Sequence, residues 1–252
     1  MPLDPADLRK LPLLAQAAPD SFAQLTCDAQ LRRISRRTAL TVEGELGAHL
    51  PILTEGAVAF EGGQGATLAL LEAPATVMLA SVVLDVPALV TAWAAPRSAV
   101  LLIPGEALRQ AARTDPAFAF AVSEELSGGY SGVVRALKNQ RLRGTLERLA
   151  NYLLTQHRRQ DGATRLKLPS RKRVLASLLG MTPENLSRGF ASLAPMGVEV
   201  DGPSVTLRRP EDLAQLAGPD ASIDNHAAFD ADRPGQADRE RRRLKAFENA
   251  RP

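Results

Sequence analysis

The sequence predicts an α+β protein in which an N-terminal β-roll is followed by a long helix and a C-terminal winged helix-turn-helix. Three observations lead to this prediction: short apolar runs broken by turn residues over residues 31–104, a long helical pattern over residues 115–139, and two short amphipathic helices over residues 168–193. The chain has 252 residues, 45% of them apolar, which is enough for two domains with a sizeable core.

The N-terminal part begins with a short helical pattern over residues 4–30, which we expect to form a cap. The runs that follow are typical of many short strands, and we expect them to close into a β-roll or barrel. These runs are LRRIS, ALTVEG, HLPILTEGAVAFEGG, ATLALLEAP, TVMLASVVLDVP, ALVTAWAAP and SAVLLIP. They contain neither a Gly-rich phosphate loop nor paired carboxylates beside a histidine, so nothing in them predicts an enzyme.

A long helix is predicted to begin near Asp115 and Pro116 and to continue to about Asn139. Apolar or small residues recur along it in a heptad-like stripe, namely Val122, Leu126, Gly129, Val133 and Ala136. Such a stripe lets two helices approach closely, so we predict that this helix joins two copies of the chain. The alternative is a helix that packs only against its own β-roll.

The two short helices have clear start and stop signals. Apolar residues recur at helical spacing over residues 174–179, and Gly180 ends the pattern. Thr182 is a good N-cap, and Pro183 occupies the first helical position, where its missing N–H group does no harm. The second helix is therefore predicted to begin at Pro183.

The second helix has two distinct faces when its residues are placed at 100° intervals. One face is apolar and carries Leu186, Phe190 and Leu193, whereas the opposite face carries Glu184, Ser187, Arg188 and Ala191. A recognition helix presents such side chains to the major groove, where Arg can bind guanine and Glu can accept from cytosine N4. We predict that Glu184, Ser187 and Arg188 read bases. The alternative is a solvated helix with a Glu184–Arg188 pair.

The first of the two helices is predicted to begin after Ser170 and to carry cations in its first turn, where the helix dipole disfavours positive charge by about 0.3–1 kcal/mol each. These cations are Arg171, Lys172 and Arg173. A DNA phosphate offsets that cost, because this helix crosses the DNA backbone in a helix-turn-helix. The predicted backbone contacts come from Ser170, Arg171, Lys172, Thr182 and Asn185.

The charge of the chain is unevenly distributed. Residues 1–138 carry 11 Lys and Arg against 14 Asp and Glu, a net charge of −3, whereas residues 139–209 carry 13 against 5, a net charge of +8. Positive charge concentrated around the helix pair is typical of a protein that binds a polyanion such as double-stranded DNA.

The residues after the helix pair complete the predicted domain organisation. Two strand-like pieces around Asp201 and Gly202 form a hairpin, the wing, and a last short helix follows at residues 211–216. We predict a helical cap and sensor domain at 1–114, a dimerisation helix at 115–139, a winged helix-turn-helix at 140–218 and a disordered tail at 219–252. No apolar run approaches membrane-spanning length, so we expect a cytoplasmic protein without membrane contacts.

Over residues 8–218 this order of parts resembles the Crp/Fnr family of bacterial transcription regulators. The most specific piece is LLGMTPENLSRGFASL, in which Glu184, Ser187 and Arg188 match the Glu-x-x-Ser-Arg motif of the Fnr-type branch. The resemblance implies a jelly-roll sensor domain like a cyclic-nucleotide-binding domain, and a homodimer on a near-palindromic, TTGA-like site. It also implies contact with RNA polymerase if the protein is an activator. One departure is Pro183, where the family often has Arg.

The resemblance also frames the expected effector. Family members that bind cyclic AMP carry a Gly-Glu pair and an Arg where this chain has MLASVVLDVPALVTAWA, so we do not expect cyclic AMP. The branch with an iron–sulfur cluster needs several cysteines, and this chain has only Cys27. Haem is an option through His49, and Cys27 is an option as a redox switch. The structural alternatives are a hydrogen-bonded His49 and a small, buried Cys27.

Two classes of function are therefore retained. The first is a non-enzymatic, homodimeric, sequence-specific DNA-binding regulator whose effector the sequence does not identify. The second is a cupin-like ligand-binding or enzymatic domain with an accessory DNA-binding domain. That second class needs several metal-ligating histidines and carboxylates on adjacent strands, and only His49 lies in the strand region.

Overall fold

The computed structural model describes residues 4–168, 172–202 and 204–224. The chain divides into two compact units, and the boundary in the sequence falls between Tyr130 and Ser131. The first unit begins with three short helices, α1 (Pro5–Leu8), α2 (Pro12–Ala15) and α3 (Pro19–Cys27). Each has proline at one of its first two positions, where a missing N–H group is tolerated. The predicted N-terminal helical cap is confirmed.

Eight strands form the β-roll. They are β1 (Gln30–Ile34), β2 (Thr38–Thr41), β3 (His49–Glu55), β4 (Ala57–Gly62), β5 (Ala66–Glu72), β6 (Ala75–Thr76), β7 (Thr91–Ala94) and β8 (Ser98–Pro104). They make two four-stranded antiparallel sheets with strand orders β1-β8-β3-β6 and β2-β7-β4-β5. The predicted β-roll is therefore confirmed.

The β-roll has two cores because successive side chains of a strand point to opposite faces. Val100 on β8 belongs to a core formed by residues of both sheets, together with Val58 and Ala92. Its neighbour Leu101 belongs instead to a core that the N-terminal helices share with Leu50 and Ile52 of β3. The neighbouring strands β3 and β8 of one sheet are therefore largely buried on both faces.

Three further helices belong wholly or in part to this unit. They are α4 (Leu79–Leu84), α5 (Gly105–Thr114) and α6 (Pro116–Leu142). The expectation of a strand in TVMLASVVLDVP was wrong over α4, because a short apolar run fits a buried helix as well as a strand. Leu79, Ser81 and Val82 of α4 are buried.

Asp115 defines the beginning of α6, as predicted. Its carboxylate accepts hydrogen bonds from the backbone N–H groups of Ala18 at 2.7 Å, Ala117 at 3.0 Å and Phe118 at 3.1 Å. The bond from Ala18 and then that from Phe118 hold the pKa of Asp115 below its ordinary value. One side chain thus caps α6 and also fixes the residue that precedes α3.

The second unit is a winged helix-turn-helix, as predicted. Its elements are α7 (Thr145–Arg159), β9 (Arg165–Lys167), α8 (Lys172–Leu178), α9 (Pro183–Leu193), β10 (Val198–Asp201), β11 (Ser204–Leu207), α10 (Pro210–Ala217) and α11 (Ala221–Asp224). The strands form an antiparallel sheet with the order β10-β11-β9. A single core, which includes Leu149, Leu186, Phe190 and Leu213, joins the helices to this sheet.

The predicted disordered tail was wrong at its beginning. Residues 221–224 form α11, in which Ile223 is buried and Asp224 makes an ion pair with Arg143. This contact joins residues far apart in the sequence, so local composition gave no sign of it. The tail from residue 225 onward lies outside the described residues. None of the described helices combines the length and apolar character that crossing a bilayer requires.

Candidate nucleic-acid interface

The turn between α8 and α9 has the geometry that the sequence predicts. Gly180 adopts a positive φ of +62°, a conformation that favours glycine. A Cβ atom at this position would also lie 2.8 Å from Nε2 of Gln140, near the end of α6. The backbone conformation therefore favours glycine here, and the Gln140 side chain lies close to it.

The start of α9 is fixed by its N-cap. The Thr182 hydroxyl accepts a hydrogen bond from the backbone N–H of Asn185 at 3.2 Å, and Pro183 occupies the first turn. The predicted faces are both confirmed. Leu186, Phe190 and Leu193 are buried in the core, and Glu184, Ser187, Arg188 and Ala191 are exposed.

The three side chains expected to read bases are held by contacts within α9. The Ser187 hydroxyl donates to the carbonyl oxygen of Pro183 at 3.0 Å, and Nη2 of Arg188 donates to Oδ1 of Asn185 at 2.5 Å. The backbone N–H of Glu184 itself, the Thr182 hydroxyl and the charge of Arg188 lower the pKa of Glu184. Glu184 is therefore a carboxylate acceptor near neutral pH, and Arg188 is held beside it.

The residues expected to contact phosphates are described only in part. Ser170 and Arg171 lie outside the described residues. Lys172 and Arg173 open α8 and are exposed, and in the described part of the chain no acidic side chain forms an ion pair with either of them. Two cations therefore stand open to solvent at the start of this helix.

The cations of the wing are placed differently. Arg165 on β9 donates to Asp201 at 2.8 Å, and Arg208, just after β11, binds the Glu199 carboxylate through Nε at 2.5 Å and Nη2 at 3.0 Å. The Glu199 contact raises the pKa of Arg208, and in return Arg208 lowers the pKa of Glu199. Within the wing, these two arginines are paired with acids.

The predicted stripe on α6 is only partly available to a second chain. Val122 is buried within its own chain, in the core that contains Phe118, so its assignment to the dimer stripe was wrong. Leu126 is half-buried against the same core. Gly129, Val133 and Ala136 are exposed, and Val133 keeps 68% of its surface accessible.

Two further apolar residues on α6 were not predicted. Tyr130 is 73% exposed and Leu137 is 55% exposed. Together with Leu126 and Val133 they follow spacings of four, three and four residues, which place them on one face of a helix. A count that began at Leu126 instead of Val122 would have found this face, which we call the α6 apolar face.

The two candidate sensor residues are not brought together in any site that the structure describes. His49 begins β3, opposite Pro104 of β8, and is half-buried. Cys27 ends α3 and is exposed, so the alternative of a buried cysteine was wrong. Their roles, and the expectations for haem, an iron–sulfur cluster and cyclic AMP, stay predictions.

No group of three or more His, Cys, Asp and Glu side chains in the described part of the chain is arranged to hold a metal ion. Trp93 makes a cation–π contact. Its ring is only half-buried on β7, and the Arg37 guanidinium stacks 3.9 Å from the ring centroid.

The chain is similar to known DNA-binding regulators. The family model of the Crp-like helix-turn-helix domain matches residues 147–216, which include α8, α9 and the wing. No curated protein matches the chain at the sequence level. Several solved structures, in contrast, share its fold.

One of these is FixK2 from Bradyrhizobium japonicum, at 23% identity and a TM-score of 0.64, covering 77% of this chain and 99% of that one. Another is a protein of Eubacterium rectale assigned as a transcriptional regulator of the Crp/Fnr family, at 16% identity and a TM-score of 0.67, covering 82% and 98%. The c-di-GMP-responsive global regulator CLP of Xanthomonas campestris matches at 18% identity and a TM-score of 0.65, covering 75% and 99%.

The resemblance to the Crp/Fnr family is thereby confirmed for the helix-turn-helix domain and for the fold. Residues 147–216 match the Crp-like helix-turn-helix domain. Over 77% and 82% of its length, respectively, the chain shares the fold of FixK2 and of the Eubacterium rectale protein.

Proposed function

We propose that this protein is a sequence-specific DNA-binding transcriptional regulator and that α9 reads the bases. The observation that carries the proposal is the division of α9 into a buried apolar face and an exposed face bearing Glu184, Ser187 and Arg188. That helix lies inside the segment that matches the Crp-like helix-turn-helix domain. A solvated helix does not need this set of polar groups at its N-terminal end.

Each of the three side chains has a chemical partner in the major groove. The Arg188 guanidinium can bind O6 and N7 of a guanine, the Glu184 carboxylate can accept from a cytosine N4, and Ser187 can contact a neighbouring base. Arg188 must exchange its bond to Asn185 for the base, and both partners stay close because they lie three residues apart on one helix. A TTGA-like half-site fits this set of contacts.

Phosphate contacts then position the domain on the duplex. Lys172 is exposed at the start of α8, and we propose that Ser170 and Arg171 act beside it. We assign Thr182 and Asn185 a supporting role in contacts with the DNA backbone. The Thr182 hydroxyl already caps α9, and the Asn185 side chain already accepts a hydrogen bond from Arg188. The open cations of α8 favour this placement.

The α6 apolar face supports a homodimer. Tyr130, Val133 and Leu137 expose large apolar surfaces on a single helix, and a second copy of α6 would cover them. A two-fold dimer places its recognition helices about 34–36 Å apart, so the DNA site should be near-palindromic. An activator of this kind would also contact RNA polymerase, and its place of action is the cytoplasm.

The first unit is proposed to act as a sensor without enzymatic activity, with an effector other than cyclic AMP. The alternative, a cupin-like enzymatic domain with an accessory DNA-binding domain, is not favoured, because the fold matches transcriptional regulators along most of the chain. An absorbance spectrum and an intact mass of the purified protein would show directly whether haem or another ligand is bound.

The proposal is tested by selection of binding sites from randomised DNA with the wild type, Arg188→Ala and Glu184→Ala. Arg188→Ala should weaken binding by about 1–3 kcal/mol per half-site and relax preference at one base pair, and Glu184→Ala should relax another. Neither side chain belongs to the buried face, so thermal melting should be unchanged. Arg158→Ala is the matched control, because Arg158 is also an exposed helical arginine bonded to a polar side chain three residues earlier.

Unaltered base preferences in folded Arg188→Ala and Glu184→Ala proteins would refute the assignment of α9 as the reading helix. The recovered sites should also contain two inverted half-sites. Sedimentation at micromolar concentration, with and without the selected DNA, measures the assembly directly, and a monomer in both cases would refute the homodimer.

A further inference from the structure

The chain continues in an ordered form beyond the winged helix-turn-helix. Gly218 ends α10 with a positive φ of +50°, and α11 follows at Ala221–Asp224. We call residues 218–224 the C-terminal strap. Asp220 organises the strap: its carboxylate accepts from the backbone N–H of Ser222 at 2.7 Å and from the Ser222 hydroxyl at 2.6 Å.

A buried ion pair joins the strap to the turn between α6 and α7. Nη1 of Arg143 donates to Oδ1 of Asp224 at 2.8 Å, and Nη2 donates to Oδ2 at 2.5 Å. Only 6% of the Arg143 side chain and 11% of the Asp224 side chain are exposed. Two parallel bonds from a planar guanidinium give the contact a defined geometry, and burial makes the loss of either partner costly.

Other contacts bring the strap to the same place. Nζ of Lys138, on the last turns of α6, donates to the Ser222 hydroxyl. Ile223 is buried, with 6% of its surface exposed. Just before the strap, Nδ2 of Asn151 on α7 donates to the carbonyl oxygen of Ala217 at 2.6 Å. The strap is therefore packed against the end of α6 and linked to α7.

The same turn is bonded to the helix-turn-helix. Nη1 of Arg148, on α7, donates to the carbonyl oxygen of Arg143 at 2.7 Å, and its Nε donates to the carbonyl oxygen of Leu179 at 2.9 Å. Leu179 directly precedes Gly180, whose Cα faces the Gln140 side chain. The side chain of Arg143 therefore binds the strap. Its carbonyl group accepts a hydrogen bond from Arg148, and Arg148 in turn binds the turn before α9.

We infer that the C-terminal strap positions the helix-turn-helix by fixing the turn between α6 and α7, and that Asp224 is a positioning residue for DNA binding although it does not touch DNA. The part of the inference that concerns DNA binding rests on the proposed function. Detaching the strap frees the Arg143 side chain, and the bonds that pass through Arg148 then hold the turn before α9 less firmly.

The first experiment compares two truncations of the full chain. One ends after Gly218 and removes the rest of the strap, residues 219–224, and the matched control ends after His226 and keeps it. Removal of the strap should raise amide hydrogen exchange over residues 139–144 at least about tenfold and weaken DNA binding about tenfold. Base preference should stay the same, because α9 is intact. The control should match the full chain in both measurements.

The second experiment uses point variants, in case the shorter truncation does not fold. Asp224→Asn leaves Arg143 buried without its ionic partner, so it should reproduce the faster exchange and the weaker binding. The double variant Arg143→Met with Asp224→Leu replaces the pair by an apolar contact and should restore both towards wild type. Asp212→Asn, which removes a more exposed acid paired with Arg209, is the control and should change neither by more than about twofold.

The outcomes separate the two proposals. Unchanged amide exchange at residues 139–144 in the strap-free truncation, or in Asp224→Asn, would refute the claim that the strap fixes the turn between α6 and α7. This holds whether or not α9 contacts bases. Faster exchange with unchanged DNA affinity would overturn its positioning role. An unaltered base preference in Arg188→Ala would refute the reading helix alone, and the exchange measurements would still test the strap. Weaker binding with the same base preference, together with faster exchange at residues 139–144, supports the inference.

Discussion

The cations at the start of α8 and two arginines of the wing differ in whether they form ion pairs with acidic side chains. Lys172 and Arg173 are exposed at the start of α8, and no acid in the described part of the chain pairs with them. Arg165 and Arg208, at the wing, are each bound to a carboxylate. Equal numbers of positive side chains in two regions therefore do not mean equal attraction for a polyanion.

This difference shows where phosphate binding should be concentrated. The wing pairs are more than half exposed on both sides, and exposed pairs of this kind contribute little to stability, so they can be opened. The acids remain, however, and Asp201 lies next to the Gly202 turn of the hairpin. Each of these two wing pairs therefore presents no net charge to a phosphate, whereas the cations that open α8 carry an unmatched positive charge.

The largest expected effect on this comparison comes from Lys172→Ala. Removal of an open cation should weaken binding to every sequence by a similar factor and reduce the magnitude of the salt slope by about one. Arg208→Ala should leave the slope nearly unchanged, because its charge is already matched by Glu199. Fluorescence anisotropy titrations over a range of salt concentrations measure both slopes, and equal losses in the two variants would abolish the distinction.

A smaller effect of the opposite sign is expected from Glu199→Gln. Without the carboxylate, Arg208 becomes an open cation, so binding to all sequences should tighten and the salt slope should steepen by less than about one. Glu106→Gln is the matched control, since Glu106 is also an exposed acid paired with an arginine, but it lies on α5 in the first unit. If both variants gained affinity equally, the gain would reflect overall charge and not the wing.

The smallest expected effect is that of mildly acidic pH on the reading face. The pKa of Glu184 lies below its ordinary value of 4.5, so its stabilising contacts are fully present above that value and are lost as the pH falls through the lower, folded-state pKa. Base preference at the Glu184 position should therefore be the same at about pH 5.5 as at about pH 8. Loss of this base preference within that pH range would contradict the assignment of Glu184 as a carboxylate that accepts a hydrogen bond from a base.

The sequence predicted the parts of the site that local chemistry determines. Gly180, Thr182 and Pro183 fix the start of α9 through their own conformational preferences, and the spacing of Leu186 and Phe190 fixes its buried face. The same holds for the beginning of α6, because the cap and the proline are adjacent in the chain.

The features that the sequence did not reveal depend on distant contacts. Asp224 is ordered because Arg143 lies opposite it, which no local pattern shows. Val122 fits a heptad stripe equally well whether its partner is another α6 or its own core, and only the packing around Phe118 decides between them. The apolar run of α4 is equally ambiguous, since strands and buried helices of that length look alike.

The pairing of β1 with β8 has a consequence for how the chain folds during its synthesis. Gln30 lies opposite Leu102, so β1 has no partner until most of the first unit has been synthesised, whereas Asp201 and Ser204 of the wing meet within a tight hairpin. Closing long loops slows folding, and an unpaired strand edge invites aggregation. The first half of the chain to leave the ribosome should thus be the slower to reach its native state and the more dependent on chaperones.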